Sequence, residues 1–171
     1  MTIHTDHPFR DPSSDPVRQL RGRLGGAVSL WTALGPAGLT VSSLLVAAGE
    51  PSYVVGLLDP DSDLAEALVR EERAVVQLLQ WRHRDLAEAF AGLAPAPGGP
   101  FAQAAFEETA WGPRLEDTTT WAGVALVEAR EVGWSTEVTC VVEHLQVAEE
   151  DEPLEHRRGR YLRPRPDARA P

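Results

Sequence analysis

The pattern of hydrophobic residues in the first third of the chain limits the fold more than any other feature of the sequence. Three short apolar segments, rich in β-branched residues, follow one another at 27–34, 38–48 and 53–59. The sequences GPAG and GEPS separate them, and Gly and Pro supply the backbone conformations that tight turns need. Short apolar segments joined by turns are typical of consecutive strands. The sequence therefore predicts that three strands in succession open the fold.

Helix signals flank these strands. Asp15 followed by Pro16 is a typical helix start, and apolar residues follow at helical spacing until Gly25-Gly26 ends the segment. Segment 62–72 begins with a Ser cap and predicts a second helix, and 84–93 predicts a third. Between these two helices, AVVQLL at 74–79 predicts a short buried strand.

The second half of the chain is predicted to be β-structure again. After the Pro/Gly-rich segment at 94–100, two long strands are expected at 118–132 and 135–150, joined across Gly133-Trp134, and 154–163 is a short strand or an ordered arm. Many strands with a few inserted short helices indicate a mainly antiparallel barrel decorated by helices. No GxGxxG sequence follows a strand, so a Rossmann nucleotide site is not expected.

Length and charge restrict the possible classes of function. The 171 residues suit one domain, expected at 15–162, with flexible tails at 1–14 and 163–171. A net charge of −10 argues against nucleic acid as a partner, because phosphate binding needs a basic surface. All 16 basic residues are Arg, which excludes chemistry that needs a lysine amine. We expect a cytoplasmic protein without a membrane partner, because no apolar segment resembles a signal peptide or a membrane span.

The residues that could carry chemistry are few. Cys140 is the only cysteine, and the five histidines show no metal-binding spacing, so no disulfide and no metal site is expected. The sequence DPDSD at 59–63 lacks the Gly and Glu of a calcium loop and is interpreted as a turn leading to the Ser62 cap. That cap, the hydroxyls of 40–43 and the arginine-rich segment 156–161 are suitable walls for an anionic, ring-bearing ligand. These patterns do not identify the ligand.

Four segments in order carry a family resemblance: GLTVSSLLVAAGEPSYVVGLLDPDSDLAEAL, AVVQLLQWRHRDLAEAFAG, FEETAWGPRLEDTTTWAGVALVEAREV and EPLEHRRGRY. From about residue 15 to 162 the chain resembles the flavin reductase-like family with the FMN-binding split barrel. The resemblance implies an antiparallel Greek-key split barrel that forms a homodimer, with FMN, or sometimes FAD, in a groove at the subunit interface. It also implies NADH or NADPH as the reductant and, commonly, a partner monooxygenase that receives the reduced flavin.

The same resemblance implies positions for the flavin. The hydroxyl-bearing strand would line the ring and the ribityl chain, the turn and helix cap after the third strand would lie near the phosphate, and further residues come from a middle strand, the loop after it and the closing segment. The residues so matched are Thr40, Val41, Ser42 and Ser43; Asp59, Ser62 and Asp63; Gln77, where the family usually has Asn; Arg82; and His156, Arg160 and Tyr161.

One departure from the family pattern separates two functional hypotheses. The last long strand of the family normally begins with an Asp-His pair whose imidazole lies by the flavin or nicotinamide, and Glu137-Val138 align there. The first hypothesis is an NAD(P)H-dependent flavin reductase that supplies a partner oxygenase or another acceptor. The alternative is a non-catalytic FMN-binding split-barrel protein that has lost turnover. A third, a barrel that holds haem or another ring cofactor, lacks a histidine that stands out as an axial ligand.

Overall fold

The architecture was obtained from a computed structural model, which describes residues 16–149 and 152–164. The tail predicted at 1–14 lies outside the described residues, as does most of the tail predicted at 163–171. The elements in chain order are α1 (Pro16–Leu24), β1 (Gly26–Ala27), β2 (Ser29–Ala33), β3 (Ala37–Val41), β4 (Leu44–Ala47), β5 (Tyr53–Leu58), α2 (Asp63–Glu71), β6 (Arg73–Leu78), α3 (Arg84–Phe90), β7 (Phe106–Thr109), β8 (Gly112–Leu115), β9 (Trp121–Val132), β10 (Ser135–Gln146), β11 (Glu155–Arg157) and β12 (Arg160–Leu162), with short 3₁₀ turns at Trp81–His83 and Pro100–Gln103.

Seven of the strands form one antiparallel sheet in the order β3-β2-β6-β9-β10-β5-β4. Its two edge strands, β3 and β4, are neighbours in sequence and are separated by Ser42 and Ser43 alone. Two residues cannot cross a flat sheet of seven strands, each about 4.8 Å from the next, so the sheet must curl until its edges meet. The Leu57 N–H donates to the Ser43 carbonyl at 2.9 Å at this junction. The predicted antiparallel barrel is therefore confirmed, whereas the single strand predicted at 38–48 is in fact two.

The main core fills the inside of this curled sheet. The Trp31 ring is fully buried and packs beneath Gly56, where an added Cβ would lie 2.9 Å from the ring. Helix α2 covers one opening with the buried side chains of Leu64 and Leu68. It begins as predicted, because the Ala65 N–H donates to the Ser62 hydroxyl oxygen at 3.2 Å.

A smaller sheet, β1-β11-β12, lies beside the barrel. Backbone hydrogen bonds join the two parts: the Val28 N–H donates to the Leu154 carbonyl and the Leu154 N–H donates to the Leu79 carbonyl, both at 2.9 Å. The segment 154–163, predicted as a short strand or an ordered arm, is thus a hairpin of two strands, and helix α1 packs against its first strand. The hairpin β7–β8 was not predicted, and it covers the barrel near β6. Among the described residues, no helix has the length and apolar character needed to cross a membrane.

Candidate functional site

A crevice of about 1230 Å³ lies between the small sheet and the edge of the barrel. Pockets for small molecules are commonly about 300–1000 Å³, so the crevice is large enough for a nucleotide-sized ligand with room beside it. One wall comes from the β3–β4 junction, β5 and β10, and the other from α1 and the β11–β12 hairpin. The lining residues are Gln19, Arg21, Arg23, Leu24, Gly25, Ser42, Ser43, Leu44, Leu45, Val55, Gly56, Leu57, Leu93, Glu137, His156, Arg158 and Gly159.

The barrel wall is mostly aliphatic and carries two hydroxyls. Side chains alternate along β5, so Val54 and Leu58 are buried in the core while Val55 and Leu57 face the crevice. Leu45 is 73% exposed and Leu57 is 40% exposed, which leaves apolar surface open to a ligand. Ser42 and Ser43 lie at one end of this surface, where the barrel closes. Such a wall suits the face of an aromatic ring with hydroxyl donors and acceptors at its margin.

The opposite wall is cationic. Arg21 and Arg23 come from the last turn of α1, and Arg158 comes from the turn of the β11–β12 hairpin. Arg158 has φ 53° and Gly159 has φ 74°, a pair of left-handed conformations that two-residue hairpin turns use. In the left-handed region a residue with a Cβ costs about 1 kcal/mol of conformational free energy relative to Gly. The first position of this turn is nevertheless an arginine. In a chain of net charge −10, these arginines make one wall of the crevice suitable for phosphate.

His156 lies on the same wall, in β11. Burial lowers the pKa of its imidazole, and the charge of Arg21 lowers that pKa further. The neutral ring therefore dominates at neutral pH, and it offers one donor and one acceptor to a ligand. Its edge meets the Tyr161 ring, whose centroid is 5.9 Å away, so Tyr161 supports the imidazole from the side. Burial and the nearby Glu88 carboxylate raise the pKa of the Tyr161 phenol.

Glu137 is the one acidic residue among the described residues that line the crevice. On β10 it pairs in register with Leu57 on one side and with Arg130 on the other. Arg130 Nε donates to Glu137 Oε1 at 2.8 Å and Nη2 donates to Oε2 at 3.2 Å, and these hydrogen bonds lower the pKa of the carboxyl group. Val138, the next residue, is 1% exposed and belongs to the core. A side chain at position 138 therefore cannot reach the crevice, and position 137 of the pair faces it.

Three of the residues matched from the family resemblance line the crevice: Ser42, Ser43 and His156. Val41 is 3% exposed and packs in the core, because it faces inward on β3. The Thr40 hydroxyl donates to the Ala87 carbonyl of α3 at 2.6 Å and so fastens that helix to the sheet. The hydroxyl-bearing segment therefore contributes its last two residues to the crevice, and its first two stabilise the barrel.

The turn at Asp59–Asp63 forms an internal network and does not line the crevice. Asp59 Oδ1 accepts from the Asp61 N–H at 2.9 Å, and the Ser62 hydroxyl donates to the Asp59 carbonyl at 2.7 Å. The same Ser62 oxygen caps α2, so its hydrogen bonds are used within the turn. Contact of Asp59, Ser62 or Asp63 with a phosphate stays a prediction that the crevice geometry does not support.

The remaining matched residues lie away from the crevice lining. Gln77 is fully buried: its Oε1 accepts from the Leu115 N–H at 2.8 Å and its Nε2 donates to the Thr32 hydroxyl at 3.3 Å. It cannot touch a ligand in this arrangement, since it links β6 to β2 and β8. Arg160 is exposed on β12 outside the crevice lining.

Arg82 instead joins a separate cluster around Asp117. Arg82 Nε donates to Asp117 Oδ2 at 3.0 Å, and His83 Nε2 lies 3.1 Å from both carboxylate oxygens. His83 Nδ1 accepts from the Gln80 N–H at 3.0 Å, so the proton of the neutral ring is on Nε2 and is donated to Asp117. The cluster fastens the loop before β9 to the 3₁₀ turn after β6. In this structure the guanidinium of Arg82 therefore stabilises that loop.

The sequence did not predict Arg21 and Arg23 of the crevice. Arg158 lies in the predicted segment 156–161 but was not selected as a site residue, and Glu137 was named only as a departure from the family pattern. Alternation along β10 could have placed Glu137 outward, because Val138 and Cys140 are apolar and inward-facing. The arginines of α1 carried no such signal, because only the packing of α1 against β11 brings them to the hairpin.

The flavin reductase like domain family matches residues 21–164. The FMN reductase (NADH) RutF of Bradyrhizobium diazoefficiens is 28% identical over 142 residues, which cover 81% of this chain and 78% of that protein.

Solved structures agree in fold. The NADH:FAD oxidoreductase SgcE6 of Streptomyces globisporus superimposes with a TM-score of 0.80 at 21% identity and covers 92% of this chain and 97% of its own. The nitrilotriacetate monooxygenase component B homologue of Mycobacterium thermoresistibile gives 0.79 at 20% identity, covering 91% of this chain and 88% of its own. These likenesses confirm the predicted split barrel. Since the family match spans most of the chain, this protein belongs to the flavin reductase like family of oxidoreductases.

Proposed function

We propose that this protein is an NAD(P)H-dependent flavin reductase that binds FMN in the crevice between the barrel and the small sheet. One observation carries the proposal: an aliphatic wall with two hydroxyls faces a wall with three arginines, in a chain of this family. The aliphatic wall fits a flat heteroaromatic ring, and the arginines fit a phosphate.

Each wall would hold a different part of the cofactor. Val55, Leu57 and Leu45 would pack against the ring and exclude water from one of its faces. Ser42 and Ser43 would hydrogen bond to the ribityl hydroxyls or the ring edge, and Arg158 with the α1 arginines would hold the phosphate. Bound flavin supplies a ring that accepts hydride, and NADH or NADPH supplies the hydride. The protein contributes by aligning the two ligands, and the crevice volume leaves space for a nicotinamide beside the flavin.

Binding and turnover test the proposal separately. Titration of FMN with the protein should quench flavin fluorescence, and NADH or NADPH should be oxidised only when flavin is present. Protein that neither binds FMN nor oxidises either nucleotide would refute the proposal. Binding of FMN with background oxidation of both nucleotides would instead identify the non-catalytic alternative.

The arginine wall has its own test. Arg158→Gln should weaken FMN binding about ten-fold, as expected for loss of a hydrogen bond between charged groups, while riboflavin binding should stay unchanged because riboflavin has no phosphate. Arg163→Gln is the matched control, because Arg163 is exposed and does not line the crevice. Equal losses for FMN and riboflavin would place the phosphate elsewhere.

Assembly and transfer of flavin complete the proposal. We propose a homodimer, supported by exposed apolar residues where β9 extends beyond its pairing with β6. Val127 there is 60% exposed, and Trp134 in the adjoining turn is 79% exposed. A partner oxygenase as recipient of the reduced flavin is supported by the similarity to a monooxygenase component. Light scattering measures the first, and a monomer at micromolar concentration would refute it. Reduced flavin that never leaves the protein in the presence of an acceptor enzyme would refute the second.

A further inference from the structure

We propose that Glu137 determines which ring is accepted in the crevice and how it is oriented, by accepting a hydrogen bond from an amide-type N–H of the bound ligand. Two such groups are available in the reaction: the imide N–H of the isoalloxazine and the carboxamide of the nicotinamide. The inference rests on the proposed function, because it assumes that these rings enter the crevice.

The position of Glu137 supports this role. Its side chain is 22% exposed and lies on the barrel wall next to Leu57, where the ring is expected to pack. The neighbouring lining residues on this wall are aliphatic, glycine or serine. A carboxylate at the edge of an apolar surface is a strong and directional acceptor, because little water competes for it.

The two hydrogen bonds from Arg130 leave Glu137 able to accept a hydrogen bond from a further donor. Arg130 occupies one site on each carboxylate oxygen, through Nε and Nη2. An ionised carboxylate accepts at about four lone-pair sites, so about two remain. Arg130 also fixes the rotamer of Glu137 and keeps it ionised, so the group accepts hydrogen bonds and cannot donate them.

Charge gives the crevice a direction. On the barrel wall Arg130 offsets the charge of Glu137, so this wall does not attract phosphate. Arg21, Arg23 and Arg158 attract it on the opposite wall. A ligand with a phosphate at one end and an N–H donor on its ring satisfies both walls in one orientation only. The predicted result is selection for ring systems that present an N–H toward β10.

Ligand analogues that lack the donor test the inference. 3-Methyl-FMN replaces the imide N–H of the flavin, and reduced 3-acetylpyridine adenine dinucleotide replaces the carboxamide NH₂ of the nicotinamide with a methyl group. Each analogue is compared with its parent ligand in the wild type and in two variants. Glu137→Met has a side chain of similar length without a carboxylate, and Glu137→Gln keeps an acceptor oxygen without the charge. Glu128→Gln is the control, because Glu128 lies on β9, the strand next to β10, near Arg130 and outside the crevice lining.

The readouts are the dissociation constant for the flavin pair and kcat/KM for the nucleotide pair. The wild type should disfavour one of the two analogues by about ten-fold or more, the usual cost of losing a hydrogen bond to a charged group. That penalty should nearly vanish in Glu137→Met, shrink in Glu137→Gln and persist in Glu128→Gln. The pair that responds identifies the ring that Glu137 contacts.

Two results would overturn the inference and leave the proposed function intact. One is an equal analogue penalty in the wild type and both Glu137 variants, and the other is no penalty for either analogue in a wild type that binds FMN and oxidises NADH. Failure of the wild type to bind FMN at all would refute the proposed function itself. If Glu137→Met does not fold, Glu137→Gln carries the comparison.

Discussion

Replacement of Gln77 by Leu separates a binding role from a structural one. The family resemblance places Gln77 at the flavin, whereas the structure buries it completely between β2, β6 and β8. Leu has nearly the same volume as Gln and cannot hydrogen bond. We therefore expect Gln77→Leu to destabilise the barrel while flavin affinity in the folded protein stays within about two-fold of wild type, since a direct hydrogen bond would contribute more than that.

The size of the effect follows from the partners of Gln77. The Leu115 N–H, on a residue that is 1% exposed, loses its acceptor, and an unsatisfied buried group costs about 1–3 kcal/mol. The Thr32 hydroxyl loses a donor but keeps its own hydrogen bond to the Pro113 carbonyl, so we assign about 1 kcal/mol to this loss. The sum is about 2–4 kcal/mol. For a domain of this size that corresponds to a decrease in Tm of about 5–15 °C.

Urea unfolding followed by tryptophan fluorescence measures the stability, and FMN fluorescence quenching below the transition measures the affinity. Gln146→Leu is the matched control, because it also removes two side-chain hydrogen bonds, from Trp121 Nε1 at 3.3 Å and to the Thr119 carbonyl at 3.1 Å. Gln146 is exposed, so water can replace these partners and the loss of stability should be smaller than in Gln77→Leu. Gln77→Leu protein with unchanged stability and strongly reduced FMN affinity would show that the buried-network reasoning is wrong.

Three other changes test the packing and the charges. Gly123→Ala should destabilise the fold by about 1–3 kcal/mol in thermal unfolding, because the new Cβ would lie 2.2 Å from the Trp111 ring. In a protein that also carries Trp111→Leu, Gly123→Ala should cost less. If the double variant instead loses the sum of the two single losses of stability, the contact is contradicted. Burial raises the pKa of Cys140 to about 12, so the native protein should not react with a thiol reagent at pH 8 until it unfolds, and fast labelling would contradict its burial. Partial burial raises the pKa of Asp117, but the hydrogen bonds from its histidine and arginine neighbours outweigh burial and leave that pKa below its ordinary value. The stability from this carboxylate should therefore be present above about pH 4 and be lost as the pH falls below it, so Tm should decrease less toward pH 3 in Asp117→Asn than in the wild type; parallel curves would contradict this.

The parts of the fold that were predicted correctly are those with local causes. The cap at Ser62, the glycines after α1 and the turn at Gly133-Trp134 act on neighbouring residues, so the sequence shows them directly. The hairpin β7–β8 gave no such signal, because its segments FEET and GPRL are short and carry charges and a proline. The sequence also carried no local signal that 38–48 divides into the two strands β3 and β4. Both halves are apolar, and only closure of the barrel places them on opposite edges of the sheet.

The crevice was partly predictable for the same reason. Ser42 and Ser43 were predicted as ligand-lining residues because they are adjacent in the sequence and because they are polar residues in an otherwise apolar segment. They line the crevice because the barrel closes at this point, where neither sheet edge can cover them. Of the arginines that face them, Arg21 and Arg23 lie in α1, whereas Arg158 follows more than a hundred positions later in the chain. They meet through the contact between α1 and β11. A local pattern can therefore show which residues are available for phosphate, as the segment 156–161 did, but it cannot choose among its arginines. The choice of Arg158 over Arg160 depends on the hairpin turn, which places its first residue in the crevice lining and leaves Arg160 on the strand that follows.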